Sequence, residues 1–384
     1  MKLVPTIPHD RSVQVTRVEA IPYVLPYRRP QRFASGVVDR ADNVLVRVHT
    51  DDGPIGVAEA QPRPYTYGET QASIVEAIRG RLSPALIGLD PIGSELAHER
   101  CQRLAGNHVA RAAVDLAIWD LIGKAVGCSC HRLLGGYARE IEVAYLVGLD
   151  EPSAMAETAV VASERWGVGT FKLKVGRDPA QDIAACRAVR TALPDARLYV
   201  DANRGWSVEQ ATRAAAALSD LGVLAVEEPV AVDDRPARRR LAEQLPVPII
   251  GDESCITLPA AVRSLDDGTV GTVSIKTART GFTESRRILD ACLSRHAPVL
   301  LGSQYETGIG ALATAAFAAA FGYSAARPAE LANVLDLDDD LLAEPLRIDG
   351  GRFRIPDVPG VVSAIDEDKL AHYRLDDHAI LTAA

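Results

Sequence analysis

The chain has 384 residues, 47% of them hydrophobic, and a formal charge of −9. That length exceeds one average domain and suits a barrel of roughly 200–250 residues with a second unit. The negative balance and scattered Lys and Arg argue against nucleic acid or an anionic membrane as the main partner; with no apolar run of roughly 18–20 residues and no signal-peptide pattern, a cytoplasmic protein acting on a small molecule is expected.

Residues 12–24 and 44–59 carry strand-like alternation, and Asp51-Asp52-Gly53 marks a turn between 44–50 and 55–59, so a meander or hairpin opens the chain. Helical periodicity follows at 70–82, 91–104 and 108–126, the last set by Val109, Ala112, Ala113, Leu116, Ala117, Asp120 and Leu121. Gly135-Gly136 then breaks the pattern. From Val143 strands alternate with helices. Asp178-Pro179 supplies an N-cap and first-turn proline, Ser207-Val-Glu-Gln210 a capping box. With Val143–Gly148, 298–302 and 328–332 the strand count reaches eight. This predicts an α/β chain with an α+β capping domain over 1–137, a barrel over 138–345, and a segment 346–384 that packs back on the cap. The six cysteines (101, 128, 130, 186, 255, 292) have no C-x-x-C spacing and read as reduced residues, mostly in the core.

Lys174, Asp201, Glu227, Asp252 and Lys276 each close a short apolar run, at gaps of 27, 26, 25 and 24 residues. Each gap is one strand plus one helix. Parallel strands buried on both faces read as continuous apolar runs, and a repeat of this size predicts a TIM-like barrel whose strand ends share one mouth. An isolated charge at a strand end is ordinarily solvated; five in register are not accounted for that way.

Three carboxylates without a Cys or His ligand make a hard, oxygen-only site suited to Mg²⁺ or Mn²⁺. A cation would also relieve their mutual repulsion. Asn203, two residues after Asp201, is placed to hold that carboxylate or touch the metal. The two lysines flank the cluster in an acid/base layout, and a lysine beside a dication and another lysine is expected to have a depressed pKa. Lys172 points the same way as Lys174 and adds positive charge where a substrate carboxylate would lie. A metal there would stabilise an enediolate beside that carboxylate. No histidine ends a barrel strand, and the chain lacks a Gly-x-Ser-x-Gly elbow, a Walker loop and Gly-x-Gly-x-x-Gly, so proton transfer is the chemistry left.

Phe-Lys-Leu-Lys-Val-Gly (171–176), Val-Asp-Ala-Asn-Arg-Gly-Trp (200–206), Val-Glu-Glu-Pro (226–229), Gly-Asp-Glu-Ser (251–254) and Ser-Ile-Lys-Thr-Ala-Arg-Thr-Gly (274–281), in this order, resemble the muconate-lactonizing-enzyme subgroup of the enolase superfamily. The likeness covers nearly the whole chain and extends to its C-terminal segments 339–346, 359–361 and 366–373. It implies a (β/α)₇β barrel under a cap, Asp201, Glu227 and Asp252 as metal ligands, Lys174 and Lys276 as the acid/base pair, and Lys172 as the carboxylate-side lysine. Glu306 and Glu330 are then expected at the substrate pocket, and Glu253 either on a catalytic lysine or in a structural salt bridge. Two mobile cap loops, 28–38 and 61–69, would set the substrate, with Tyr65 and Tyr67 in contact with it and Arg32 or Arg63 on a carboxylate. Both loops and the segment 277–282 look most like muconate cycloisomerases, to our reading those of anti geometry. Glu228 stands where many members have glutamine, and Gln304-Tyr-Glu306 replaces a commoner Met-Leu-Glu, so both are expected to alter the pocket.

The leading expectation is a Mg²⁺- or Mn²⁺-dependent cycloisomerase that closes cis,cis-muconate or a chloromuconate to a lactone, with Lys276 favoured over Lys174 as proton donor. A racemase, epimerase or dehydratase of an amino-acid or proline derivative, or an o-succinylbenzoate synthase, stays open. The segment Glu330-Leu-Ala lacks the Asp-x-Asp by which dipeptide epimerases hold the substrate amine, which counts against that branch. From another class, a metal-independent Schiff-base lyase would use a strand-six lysine. A module that only binds leaves the five charges unexplained. The resemblance further implies a homo-oligomer assembled through outer helices.

Overall fold

The computed structural model describes residues 13–34 and 36–375. Strands β1 (Val15–Phe33), β2 (Gly36–Thr50) and β3 (Gly56–Ala60) form an antiparallel sheet in that order, with the turn at 51–53 as expected. The first strand does not stop at residue 24. It runs on to pair Phe33 with Gly36, with a register break between Pro26 and Gln31, where Pro26 and Pro30 have no N–H to give the ladder. Most of 28–38, expected as a mobile loop, is therefore the far end of a hairpin; Ser35 and residue 12 lie outside the described residues. The second expected loop, 61–69, contains a helical turn at Pro64–Tyr67.

Helix His108–Ala125 is buried on nearly every face, since it lies between β3 and helix Thr277–Leu293. A Cβ on Gly56 would meet Ala117 O at 2.0 Å, so glycine is what lets helix and strand approach. Asp120 ties three segments together, accepting from Val57 N at 2.7 Å, Val361 N at 2.6 Å and Val362 N at 3.1 Å.

β4 (Glu140–Glu142) belongs to a small separate sheet. β5 (Ala144–Val147), β6 (Thr170–Lys174), β7 (Arg197–Asp201), β8 (Val223–Glu227), β9 (Ile249–Gly251), β10 (Thr272–Ile275) and β11 (Val299–Leu301) form a curled, seven-stranded parallel sheet in chain order. Crossover helices join them, and the Asp178 cap and the Ser207–Gln210 capping box are both formed. Register places Lys174 opposite Asp201 and Asp201 opposite Glu227, so three of the charged ends lie in one row. The strand expected at 328–332 is reduced to one bridge, Val143 with Ala329. Ala144 N donates to Ala329 O, Ala329 N to Glu142 O and Glu330 N to Leu301 O, so this short segment bonds to both edges of the sheet. Pro328 lacks a donor and a 3₁₀ turn begins at Ala332, which leaves too few residues for a ladder.

Part of the tail does not meet the cap. β12 (Ile348–Asp349) and β13 (Arg352–Arg354) form a hairpin that pairs with β4. The rest returns to the N-terminal part of the chain: Gly360 O accepts from Cys130 N, at the start of helix Cys130–Leu134, and Leu375 N donates to Pro22 O of β1 after helix Glu367–Tyr373. Residues 376–384 of the expected tail lie outside the described residues. All six cysteines are free, five of them buried. Among the described residues no helix is long and apolar enough to cross a membrane.

Glu59 on β3 joins the two units, accepting from Tyr23 Oη at 2.9 Å, Thr307 N at 2.8 Å and the Thr307 hydroxyl. Burial outweighs these bonds and pushes its carboxyl from 4.5 up to about 7. The unfolded chain therefore ionises first: this contribution to stability is full below pH 4.5 and is lost as pH rises to about 7, by about 3 kcal/mol at most. Unfolding free energies measured from pH 4.5 to 7.5 should show Glu59→Gln gaining on the wild type as pH rises; a constant difference would mean Glu59 ionises as an exposed carboxyl does.

Candidate active site

Alternate residues of a strand share a face, and Lys172 and Lys174 leave β6 on the same side. Lys172 Nζ lies 2.8 Å from Glu227 Oε1, 3.1 Å from Asp201 Oδ2 and 3.0 Å from Glu330 Oε1. Lys174 Nζ donates to Asp201 Oδ2 at 2.6 Å and Asn203 Oδ1 at 3.0 Å, and lies 4.9 Å from the centre of the Phe33 ring. Just past β9 and β10, Lys276 Nζ donates to Asp252 Oδ2 at 2.6 Å. The five expected residues thus converge, with a different lysine on each aspartate.

The carboxylates are not equivalent. Burial raises Asp201, but Lys172 and Lys174 outweigh it and bring the group down to about 2. Burial likewise opposes Asp252, which Lys276 and Arg279 hold well below the usual range. For Glu227 burial prevails, with Asp201 and Glu330 adding to it against Lys172, and its pKa is raised well above the ordinary value. For Lys276 burial lowers the pKa, but contact with Asp252 raises it further, so the net direction is upward; the expectation of a depressed lysine concerns an ammonium beside a dication.

Among the described residues no three His, Cys, Asp or Glu side chains stand positioned to hold an ion as they are; ammonium groups lie between the carboxylates. The donor set nonetheless fits a hard cation. It is all oxygen, and Glu227 Oε2 is buried without a hydrogen-bond partner. For Asp201, Glu227 and Asp252 to share one cation, the bridging lysines would have to withdraw.

Asn203, in the left-handed region at φ 42°, donates its N–H to Asp201 Oδ1 at 2.8 Å, so it does hold that carboxylate. Glu253 pairs with Arg204 at 3.3 Å and accepts from Asn203 Nδ2 at 3.5 Å, which is the salt-bridge alternative and not a lysine contact. Burial, then Asp252, Glu228 and Asp201, push it up to about 7. Glu228 does not alter the pocket directly. It is buried beneath Asp252, accepting from Asp252 N at 2.7 Å, Ser254 N at 2.9 Å and Arg238 Nη1 at 2.8 Å.

A cavity of about 550 Å³ opens on this cluster. Lys174, Asn203, Asp252 and Lys276 line one side, and Phe33, Arg63, Tyr65, Tyr67, Gln304 and Tyr305 are among the residues lining the rest. Tyr65 lines the cavity and is 77% exposed. Arg32 does not reach it: the side chain is exposed, 3.8 Å from Asp150. Lys172, Glu306 and Glu330 are not in its lining either. Glu330 is taken up by Lys172, Tyr199 Oη at 2.9 Å and Ser303 N at 3.0 Å, and Glu306 by Gln304 N at 2.9 Å and the Ser303 hydroxyl. Both brace the wall from behind.

Arg279 was not singled out in the sequence. Its guanidinium bonds Asp252 Oδ1, donates to Tyr67 Oη at 2.7 Å and reaches Ser274 O at 3.0 Å. The available signal was its place in the first turn of helix Thr277–Leu293, three residues after Lys276. Tyr67, 3.4 Å from Asp252 Oδ1, thereby anchors the segment 61–69 on the cluster.

Residues 154–369 match the family described as Enolase C-terminal domain-like, and residues 15–135 the Mandelate racemase / muconate lactonizing enzyme N-terminal domain. Muconate cycloisomerase 1 of Pseudomonas putida is 32% identical, over 94% of this chain and 99% of its own length. A hydrophobic dipeptide epimerase of Enterococcus faecalis is 34% identical, over 75% of this chain and 82% of its own. A crystal structure of muconate lactonizing enzyme from Mycobacterium smegmatis, complexed with muconolactone, superposes with a TM-score of 0.93 at 45% identity, covering 94% of this chain and 100% of that one.

Lys172 holds three buried carboxylates, so Lys172→Met should cost about 3–5 kcal/mol at pH 7 by urea unfolding, the range for removing one partner of a buried pair. A loss under about 1 kcal/mol would mean those carboxylates do not depend on it.

Proposed function

The chain belongs to the mandelate racemase / muconate lactonizing enzyme family of the enolase superfamily, and from that premise we propose that it is a divalent-metal-dependent cycloisomerase closing cis,cis-muconate or a chloromuconate to a lactone. The observation that carries this reading is the placement of Lys174 and Lys276 on two different aspartates at one end of a single cavity. Identity of 45% over 94% of the chain to a muconate lactonizing enzyme supports it. In the same reading the curled sheet is a (β/α)₇β barrel completed by residues 328–331, with the cap at 1–137, the barrel at 138–345 and the tail at 346–384. A homo-oligomer is proposed with it, and unpaired cysteines suit the cytoplasm.

Asp201, Glu227 and Asp252 would hold Mg²⁺ or Mn²⁺, which supplies positive charge opposite the negative charge that gathers on a substrate carboxylate during the reaction. One substrate carboxylate adds across the conjugated alkene, and the carbon beside the other carboxylate takes a proton from Lys276 Nζ. Lys276 Nζ donates to Asp252 at 2.6 Å, which places it at the cluster where such a donor is needed. Asn203 and Asp201 orient Lys174 on the other side.

An epimerase or racemase of an amino-acid derivative is the second reading, favoured by the 34% identity to a dipeptide epimerase. Lys174 and Lys276 would then serve opposite faces of one α-carbon. For a dipeptide, the amine would need acidic groups at 330–332, where the chain has Glu-Leu-Ala and Glu330 is already held by Lys172 and Tyr199.

Ultraviolet absorbance of cis,cis-muconate with enzyme and Mg²⁺ or Mn²⁺ decides between them. The expected result is loss of the diene band, abolished by EDTA and slowed about 10²–10⁴-fold in Lys276→Ala. Loss of activity in Lys174→Ala with full retention in Lys276→Ala would reverse the donor assignment. An unchanged band together with α-hydrogen exchange of amino-acid derivatives in D₂O would establish the second reading, and turnover surviving EDTA with borohydride trapping would establish a Schiff-base lyase.

A further inference from the structure

Gln304 lines the cavity, is only 4% exposed, and both its Nε2 and Oε1 are buried without a hydrogen-bond partner in the protein. Leaving a buried polar atom unpaired costs about 1–3 kcal/mol, and native interiors leave few of them. Tyr305, next in the chain, sits in the left-handed region at φ 68°. Its carbonyl accepts from Tyr27 Oη at 3.2 Å and from Gln61 Nε2, its hydroxyl donates to Asp336 Oδ2 at 2.8 Å, and its ring meets Tyr27 and Phe33 edge-on. The Gln304 N–H is fixed on Glu306 at 2.9 Å. Backbone and neighbours are thus committed, and only the amide is free to meet a ligand.

Its position relative to the lysines is also set. A Cβ on Gly302 would lie 2.9 Å from Lys276 Cε, and Gln304 follows two residues on, at most about 7 Å of chain away. Arg63, from the segment opposite, lines the same cavity and has Nη2 buried without a hydrogen-bond partner. Two residues that line the cavity beyond the lysine cluster therefore each hold a buried donor without a hydrogen-bond partner, Gln304 Nε2 and Arg63 Nη2, while Arg63 Nη1 donates to Pro62 O at 2.9 Å.

We propose that Gln304, with Arg63, is the specificity-determining site for a second carboxylate on the substrate, distal to the one that faces the acidic cluster. Resting on the cycloisomerase reading, this selects dicarboxylates: Arg63 Nη2 and Gln304 Nε2 donate to the distal carboxylate, and Oε1 accepts from a bound water. A monocarboxylate of the same length leaves both donors unpaired and binds more weakly.

The test uses calorimetric binding of two unreactive probes in the presence of Mg²⁺, adipate and hexanoate, to wild type, Gln304→Met, Gln304→Glu and Arg63→Met. Wild type should bind adipate at least about 10-fold more tightly than hexanoate, the scale of a hydrogen bond to a charged group. Gln304→Met and Arg63→Met should each lose most of that preference while keeping wild-type affinity for hexanoate, which also reports that the site is folded. Gln304→Glu should disfavour adipate further by charge repulsion. Equal adipate preference in Gln304→Met and wild type, or no preference in wild type, overturns the assignment. Muconate turnover by wild type judges the cycloisomerase reading separately, so either idea can fail while the other stands.

Discussion

Three carboxylates can share one buried cluster here only because cations are set among them. Asp201 lies against Lys172 and Lys174, Asp252 against Lys276 and Arg279, and Glu227 against Lys172. At such separations and with little solvent, Coulomb energies are several-fold larger than in water, and an uncompensated charge would neutralise itself by shifting its pKa. The result is graded: two carboxylates held ionised, and Glu227 pushed upward with one oxygen unpaired. An oxygen-only site with an unpaired carboxylate oxygen has chemical room for a hard divalent cation.

The parallel register makes this cluster possible. In a parallel sheet equivalent residues of neighbouring strands fall in rows, so Lys174, Asp201 and Glu227 meet without any loop to position them. The long antiparallel hairpin and the segment 61–69 then cover the row: Phe33 of the hairpin lies over Lys174, and Tyr67 of the segment reaches Asp252 through Arg279. Charged groups come from the sheet, and much of the remaining wall from the segments 28–38, 61–69 and 303–305.

The turn at 303–307 connects the two layers. Glu306 binds its own turn, Glu330 braces Ser303, and Glu59 reaches across from β3 to Thr307. Glu306 and Glu330 each bond backbone and side chains of or beside this turn, which holds Gln304 and Tyr305 in the wall. A charge spent in this way is hard to distinguish by sequence from one that faces a ligand.

Sequence alone determined the alternation of strand and helix from residue 143, the five charged strand ends, the helix caps and the oxygen-only character of the cluster, because these depend on spacing and residue type. Tertiary structure decided what depends on contacts between distant segments. It reduced the eighth strand to a single bridge, extended the first hairpin to Phe33, sent β12 and β13 to β4, turned Arg32 to Asp150, and gave Glu253 to Arg204. Arg279 and Gln304 owe their places to partners far off in the chain, Tyr67 for one and the Tyr27–Tyr305–Asp336 contacts for the other. Such partners meet only when a parallel sheet curls and a hairpin closes over it, and no periodicity within a single segment records that meeting.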